Sequence, residues 1–222
     1  CGFQDVGTTN IDATLLAGLA QRTNYPPIVY SNVVITTATT LSPQAQRDTD
    51  TPDLGYHYDP LDYVFGGCDL YTNLTLTAGT AVGSFESYGH LSVSGQPYGL
   101  SLNHGANLTS TGTVSQPNWI VYAKTVQEWV NGAWPASGWL GGIVINGGGS
   151  GATPQLNTRF TKWSTLASEG NHFRDNWAYG EVRAVHNEFY NGGIGSYWGP
   201  YYFTNCLFDC TGIAFWDQDD AA

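Results

Sequence analysis

Short segments in which apolar and polar residues alternate are spread along most of the chain. Residues 74–82 (LTLTAGTAV) and 100–109 (LSLNHGANLT) carry apolar side chains at alternate positions around Gly-containing turns. A period of two is typical of β-strands that bury one face. Residues 28–35, 119–122 and 142–145 are shorter runs of strand-forming residues. The chain is therefore predicted to contain many short strands.

One segment has a helical pattern. Residues 11–21 (IDATLLAGLAQ) contain closely spaced Ala and Leu, with Asp12 and Thr14 at the start, where short polar side chains cap a helix. The chain is accordingly divided into two parts. Residues 1–59 are predicted to form an N-terminal coil, this helix and an acidic loop, and residues 60–222 to form a stack of coils.

The C-terminal third of the chain repeats. Residues 186–192 (HNEFYNG) align with residues 205–212 (NCLFDCTG), and residues 170–176 (GNHFRDN) resemble both. The shared aromatic position is occupied by Phe173, Phe189 and Phe208, and these rings are predicted to stack inside the fold. Strands this short cannot each bury a face alone, whereas stacked coils share one core. The predicted fold is all-β, a parallel β-helix (solenoid) with one short N-terminal helix.

The two ends of the chain resemble each other. Residues 1–7 (CGFQDVG) and 206–212 (CLFDCTG) share a C-x-F-x-x-x-G pattern. Both ends are therefore expected to be open coils, which expose backbone hydrogen-bonding groups and core side chains. We expect them to be covered by copies of the same chain stacked end to end, or by missing parts of a longer polypeptide.

Charge narrows the range of partners. The chain has 18 acidic and 7 basic residues, a formal net charge of −11. Nucleic acids and anionic lipid surfaces both select Lys and Arg patches, so neither is an expected partner. No apolar run reaches the roughly 18 residues that a membrane-spanning helix needs. The four cysteines allow three pairings, and an extracellular or cell-surface location is expected.

Several of these motifs resemble a known superfamily. Residues 187–189 (NEF) and 205–208 (NCLF), with the L-x-L-x-x-G strands, resemble right-handed parallel β-helix proteins of the pectate-lyase-like superfamily. Residues 48–60 (DTDTPDLGYHYDP) resemble a segment found near coil ends in secreted bacterial β-helix proteins of unassigned function. The resemblance implies the fold but no single activity, because such folds include lyases, hydrolases, adhesins, tail spikes and structural rods.

Polar residues in and between the last strands are candidates for catalysis. The candidates are His172, Arg174, Asp175, Arg183, His186 and Glu188. A lyase acting on uronate sugars needs a base and a cation, and a glycosidase needs two carboxyl groups, for which Asp175 and Glu188 are available. The alternative is that these residues alternate outward from strands whose Val182, Val185 and Phe189 point inward. That alternative is preferred, and no competent active site is expected.

Three further motifs suggest binding or modification. Tyr197 and Trp198, among turn-forming residues, are candidates for stacking on sugar rings. Asn73 and Asn107 each begin an NLT sequon, which becomes glycosylated in some secretory pathways. The alternative is that these Asn side chains stack between coils.

The acidic run provides candidate metal ligands. Asp48, Asp50 and Asp53 have the spacing of carboxylates that bind Ca²⁺, but the run contains Pro52 and lacks the Gly and closing Glu of an EF-hand loop. A solvated loop is preferred and no cofactor is expected, with Ca²⁺ as the alternative.

Three classes of function follow from these observations. The first is a non-catalytic extracellular scaffold or fibre subunit that assembles by end-to-end stacking. The second is a polysaccharide lyase or glycoside hydrolase, and the third is a glycan-binding module without turnover. The scarcity of charged clusters and the absence of a nucleophile motif favour the first, with polysaccharide as a further possible partner.

Overall fold

The computed structural model describes residues 4–85, 87, 97–127, 141–148, 150–165, 170–175 and 179–215. Within these residues the strands are short and belong to three sheets in which all neighbouring strands are parallel. Several of the corners between strands contain residues with positive φ.

The sheets take up every third strand of the chain. The first contains β1 (Ile28–Ser31), β4 (Tyr63–Gly66), β7 (Ala81–Ser84), β10 (Asn118–Tyr122), β13 (Thr161–Ser164), β16 (Glu188–Tyr190) and β19 (Leu207–Asp209). The second contains β2 (Val34–Ile35), β5 (Cys68–Leu70), β8 (Tyr98–Asn103), β11 (Gly141–Asn146), β14 (Asn171–Asp175), β17 (Gly193–Ser196) and β20 (Gly212–Phe215). The third contains β3 (Thr39–Leu41), β6 (Asn73–Leu76), β9 (Asn107–Thr111), β12 (Gln155–Arg159), β15 (Glu181–Val185) and β18 (Tyr201–Thr204).

Each coil therefore visits the three sheets in turn, and the fold is a parallel β-helix, as predicted. The predicted strands are present, but several of the segments divide at a corner. Residues 74–82 contain the end of β6 and the start of β7, separated by a turn at Gly79, whose φ is 83°. Residues 100–109 likewise contain parts of β8 and β9, with the turn at Gly105. These segments change sheet because glycine adopts the left-handed conformation that the corner requires.

The core consists of inward columns of side chains in register between coils. In the first sheet Trp163 on β13, Phe189 on β16 and Phe208 on β19 occupy one column. The Phe189 and Phe208 rings are parallel, with centroids 5.1 Å apart, and Trp163 stacks on Phe189 at 5.8 Å. Trp163 and Phe189 are completely buried.

The prediction that Phe173 shares this column is wrong. Phe173 is buried, but it lies on β14 in the second sheet, in register with Ile143 and Ile194. Its ring meets Phe189 edge-on at 6.0 Å across the core. The coil from Trp163 to Phe189 is longer than the coil from Phe189 to Phe208. The residue equivalent to Phe189 in the preceding coil is therefore Trp163, not Phe173.

The corner from the third sheet to the first is built from left-handed residues. Phe160, His186 and Asn205 occupy equivalent positions there, with φ of 45°, 55° and 49°. The Phe160 and His186 rings stack at 4.8 Å, and the Asn205 amide lies 2.6 Å from Nδ1 of His186. These two contacts between neighbouring coils offset the backbone strain at the three non-glycine residues.

Inside this corner a ladder of buried polar side chains binds the backbone. Oδ1 of Asn118 accepts a hydrogen bond from the backbone N–H of Thr80 at 3.1 Å. Oδ1 of Asn187 accepts one from the N–H of Thr161 at 3.0 Å, and its Nδ2 donates to Oγ1 of Thr158. The contact with Asn187 satisfies the buried N–H of Thr161. The contact with Asn118 adds to the hydrogen bond that the Thr80 N–H donates to the carbonyl oxygen of Thr77 at 3.2 Å.

The predicted helix is present but shorter than expected. It spans Ala13–Leu19 (α1), and the carboxylate of Asp12 accepts hydrogen bonds from the N–H groups of Thr14 and Leu15. No residue of α1 is buried, so it contributes nothing to the β-helix core. The N-terminal residues bind instead to the loop that follows β3, as in the antiparallel bridge between Thr23 and Tyr58.

Candidate functional site

The outer face of the first sheet is partly covered by the chain's own connecting segments. Val64, Ala81 and Val121 point outward from this sheet and form a second apolar cluster with Leu61 and Phe85. The cluster also includes Ala123, at the start of the 3₁₀ turn Ala123–Thr125 that follows β10. The residues of the outer cluster extend no further along the described part of this face than β10 and the turn after it. From β13 onward this face carries mainly polar side chains, with Leu207 on β19 as an exposed apolar residue.

A groove of about 460 Å³ lies at the edge of this cover. Ala81 and Val121 form its floor, and the Pro60–Leu61 loop and Trp119 line its sides. The groove is deep above β7 because the outward-pointing residues of that strand are small. On the neighbouring strand β10, the residue in register with Ala81 is the much larger Trp119. A volume of this size is within the range of small-molecule sites.

Trp119 is the aromatic side chain that the groove presents to solvent. It is 38% exposed, although it lies on a central strand of the sheet. Nζ of Lys162 lies 5.4 Å from the centroid of its indole ring, since the two residues are in register on β10 and β13. Arg47, Asp59 and Ser164 add polar groups to the same groove. The groove thus combines an apolar surface with hydrogen-bonding groups.

A strip of polar residues continues from the groove along the axis of the β-helix. Glu188 follows Lys162 in register, and its Oε2 lies 3.0 Å from Nζ of Lys162. The hydroxyl of Tyr190 donates a hydrogen bond to the same carboxylate oxygen. Asp209 follows Tyr190 on the next strand. We call Lys162, Glu188, Tyr190 and Asp209 the polar strip.

The contacts within the strip keep Glu188 ionised. The hydrogen bond from Tyr190, followed by the contact with Lys162, lowers the pKa of Glu188, while partial burial opposes the shift. The same hydrogen bond raises the pKa of Tyr190 to about 12. At neutral pH the Glu188 carboxylate therefore contacts both the ammonium group of Lys162 and the protonated phenol of Tyr190.

The candidate catalytic residues are not brought together by the fold. Asp175 lies at the buried end of β14, where its Oδ2 accepts hydrogen bonds from the N–H groups of Tyr197 and Trp198 at 2.7 and 2.9 Å and from the hydroxyl of Ser196. Burial raises the pKa of Asp175, and these hydrogen bonds oppose the rise. Its carboxylate closes the turn after β17 and is not exposed to solvent.

The two neighbours of Asp175 on β14 are also buried. The guanidinium of Arg174 lies 5.6 Å from the centroid of the Tyr197 ring. Nε2 of His172 lies 2.8 Å from the carbonyl oxygen of Asn191, an acceptor, so Nε2 carries the proton. Burial lowers the pKa of His172 to about 4, which leaves this imidazole neutral at pH 7. The prediction that these side chains alternate outward is wrong for His172, which packs against core rings, and for Asp175, which is in register with Ile145, whereas Arg174 occupies the outward position of Val144.

The remaining candidates face other surfaces. Arg183 on the third sheet is exposed and forms an ion pair with Glu181. His186 stacks at the corner, and Glu188 belongs to the polar strip on the first sheet. Val185, predicted to point inward, is half-exposed, and Ala184 takes the inward position. The six candidates thus lie on three faces of the β-helix, and Asp175 and Glu188 belong to different sheets.

The stacking candidates are engaged in the turn that Asp175 binds. Tyr197 and Trp198 are half-buried, and Trp198 packs against Tyr179 with ring centroids 5.9 Å apart. Trp177, Trp216 and Cys1 lie outside the described residues.

The acidic run is divided among separate contacts. Asp48 is buried, with Oδ2 2.6 Å from Nε2 of His57. Asp53 accepts hydrogen bonds from the N–H of Asp5 and from the amide of Asn24, and Asp50 is exposed. Across the described ranges, no three His, Cys, Asp or Glu side chains converge in a way that could hold a metal ion.

The two sequons occupy equivalent positions, since Asn73 and Asn107 are in register on β6 and β9 of the third sheet. Their surroundings differ. Asn73 is exposed, whereas Oδ1 of Asn107 accepts hydrogen bonds from Nδ2 of Asn157 at 3.0 Å and from the hydroxyl of Thr109. Asn107 therefore belongs to a ladder of side chains between coils, and Asn73 remains accessible.

Sequence reasoning missed Trp119, Lys162 and Tyr190 as members of one site. Trp119 lies in a predicted strand, and its alternation with Ile120 indicates the outward face. Its proximity to Lys162 depends on the register of two coils whose lengths differ, which the linear spacing does not supply.

Comparison with family models, curated proteins and solved structures found no match for this chain. Among the described residues, no helix combines the length and apolar character needed to cross a membrane.

Proposed function

We propose that this protein binds polysaccharide in the groove beside Trp119 without cleaving it. The observation that carries the proposal is a half-exposed tryptophan on a rigid sheet, next to a groove of about 460 Å³ lined by apolar and polar side chains. The apolar face of a sugar ring stacks on an indole, while its hydroxyl groups need hydrogen-bonding partners. Trp119 supplies the first, and Asp59, Arg47 and Ser164 supply the second.

The geometry also supports an extended ligand. Trp119, Lys162 and Glu188 follow one another in register on adjacent strands, so the groove and the polar strip form one surface along the helix axis. Adjacent strands are about 4.8 Å apart, close to the length of one sugar residue in a linear chain. A linear polysaccharide lying across the strands would therefore place successive residues over successive coils.

Protonation states support binding rather than cleavage. A glycosidase needs a carboxylic acid that is protonated at working pH, whereas the contacts of Glu188 lower its pKa. A lyase needs a base, and the raised pKa of Tyr190 keeps that phenol protonated. Asp175, whose pKa is raised, is closed off inside the turn after β17.

We further infer that the protein is secreted and belongs to the pectate-lyase-like superfamily. The three parallel sheets with left-handed corners and the buried asparagine ladder support this assignment, together with the motifs quoted from the sequence. An extracellular or cell-surface location is consistent with a polysaccharide ligand.

Affinity electrophoresis in gels containing soluble polysaccharides tests the proposal. We expect at least one polysaccharide to retard the wild-type protein and Trp119→Ala to lose the retardation. The matched control is Tyr202→Ala, since Tyr202 is also exposed and also carries a cation over its ring, Arg183 at 4.5 Å, but lies on the third sheet. Equal retardation of the wild type and Trp119→Ala, or equal losses in both variants, would contradict the proposal.

A second candidate function, a scaffold built from stacked copies, is favoured by one observation. The coils at both ends of the described stack expose apolar side chains of the inward columns, namely Ile28 at one end and Ile213 and Phe215 at the other. A second copy stacked end to end would cover them and extend the sheets. The aromatic columns support this, because Tyr30 stacks on Phe65 at 5.2 Å as Phe208 does on Phe189 at 5.1 Å.

Light scattering over a range of protein concentrations tests the stacking. We expect the wild type to form assemblies that Ile213→Lys disrupts, because Ile213 continues the inward column of Ile194 and the lysine would be placed within the stacked interface. Val114→Lys is the control, since Val114 is 80% exposed and lies in the loop between β9 and β10. A wild-type protein that stays monomeric at every concentration would exclude stacking.

A further inference from the structure

We infer that the groove selects uncharged polysaccharide and that Glu188 is the residue that excludes anionic chains. This inference rests on the proposed function, and it names both the class of ligand and a residue that determines specificity. It follows from the charges along the groove and the polar strip, from the ion pair between Glu188 and Lys162, and from the net charge of the chain.

The charges along the surface nearly balance. Arg47 and Lys162 are positive, whereas Asp59, Glu188 and Asp209 are negative. Asp59 lies on the side of the groove, where its carboxylate is 3.9 Å from Nη2 of Arg22, and Asp209 is exposed at the far end of the strip. With Arg22 offsetting Asp59, the path therefore presents no net positive charge to a chain that carries a carboxylate on every sugar.

Lys162 is the cation best placed to bind a ligand carboxylate next to Trp119, since its ammonium group lies over the indole ring. Glu188 already forms an ion pair with Lys162, with 3.0 Å between Oε2 and Nζ. The hydrogen bond from Tyr190 holds the carboxylate in that position. A ligand carboxylate at Lys162 would therefore be placed within a few ångströms of Glu188, and its attraction to the ammonium group would be largely cancelled.

The whole-protein charge acts in the same direction. With a formal net charge of −11, the protein repels polyanions at long range and slows their approach. Salt screens this repulsion beyond about 10 Å at 0.1 M, whereas the local repulsion from Glu188 acts at contact distance. The local effect is therefore the one that a single substitution can change.

Pairs of polymers that share a backbone and differ in charge provide the test. The probes are polygalacturonate against its methyl ester, and carboxymethylcellulose against hydroxyethylcellulose, in affinity gels at 0.1 M salt. In the wild type we expect the uncharged member of a pair to bind more tightly. Glu188→Gln removes the negative charge and retains the side-chain size, so we expect affinity for the charged member to rise about five- to tenfold. Affinity for the uncharged member should stay within about twofold.

The matched control is Glu181→Gln. Glu181 is also paired with a cation, Arg183, but on the third sheet, so its substitution changes the net charge equally and leaves the strip unchanged. Equal gains in both variants would show a net-charge effect and overturn the role of Glu188. Unfolding midpoints of both variants verify that the fold is retained.

The remaining outcomes separate this inference from the proposed function. Tighter or equal binding of the charged polymers by the wild type would overturn the selection of uncharged chains while the groove remained a glycan site. A lack of binding to all four polymers and to neutral galactomannan, glucomannan and xyloglucan would overturn the proposed function, and the inference with it.

Discussion

Acid should destabilise this β-helix through the buried imidazole of His172. The side chain packs between the Trp163 and Phe189 rings, with centroids 6.0 and 5.6 Å away, and is almost completely buried. Its Nε2 proton is donated to the carbonyl oxygen of Asn191. A second proton on Nδ1 would place a positive charge among aromatic rings, which is why burial lowers the pKa of His172 to about 4.

The size of the effect follows from the difference between the two states. The unfolded chain binds the second proton with a pKa of about 6.5, and the folded chain with a pKa of about 4. Because the unfolded state binds more protons between these values, stability falls as the pH falls through this window. Each pKa unit corresponds to about 1.4 kcal/mol, so the loss between pH 7 and pH 4 is about 3 kcal/mol.

Urea unfolding followed by tryptophan fluorescence at pH 7, 6, 5 and 4 measures this loss. His172→Gln keeps an amide that can donate to the carbonyl oxygen of Asn191 but does not titrate. Between pH 7 and pH 4 its unfolding free energy should therefore fall by about 3 kcal/mol less than that of the wild type. The control is His186→Gln, at the half-exposed corner. Asp175, whose raised pKa acts in the opposite direction, is present in all three proteins and cancels in the comparison. Parallel pH curves for the wild type and His172→Gln would refute the reasoning.

Three further outcomes are expected. Asn187→Ala leaves the buried N–H of Thr161 without its acceptor, so we expect about 2–3 kcal/mol of destabilisation in urea unfolding, and a change below about 0.5 kcal/mol would show that the ladder contributes little. Phe189→Ala removes a fully buried ring between two stacked aromatics and should cost about 3–5 kcal/mol, whereas a loss near 1 kcal/mol would mean that the column repacks. In a host that N-glycosylates secreted proteins, mass spectrometry should find glycan at Asn73 in preference to Asn107, and higher occupancy at Asn107 would contradict this.

The coiled architecture could be predicted because its signals are local. The alternation around Leu74 and Leu108 indicates strands, and the positions of Phe189 and Phe208 give the register of the last coils, which the structure confirms. The spacing does not predict the position of Phe173, because coil lengths vary and its strand belongs to the second sheet, not the first. The alternation of apolar and polar residues within a strand does not depend on the length of the corner that precedes it, so it cannot reveal that length.

The candidate site could not be predicted because it depends on contacts between coils. Trp119, Lys162 and Glu188 are far apart in the sequence and become neighbours through register. Conversely, His172 and Glu188 are close in the sequence but lie on different sheets, since the chain turns two corners between them. Asp175 shows a further limit, because a buried carboxylate that closes a turn has the same sequence appearance as an outward one.

The most direct test of the central claim is to observe Trp119 during ligand binding. With ¹⁵N-labelled tryptophan, the indole N–H resonance of Trp119 can be assigned by its loss in Trp119→Phe. It can then be followed while the tightest-binding neutral oligosaccharide, from cellohexaose, mannohexaose and xylohexaose, is added. We predict that the Trp119 resonance shifts and saturates while that of Trp163, which is buried in the core, stays in place. Saturating oligosaccharide that leaves the Trp119 resonance unmoved would contradict the account.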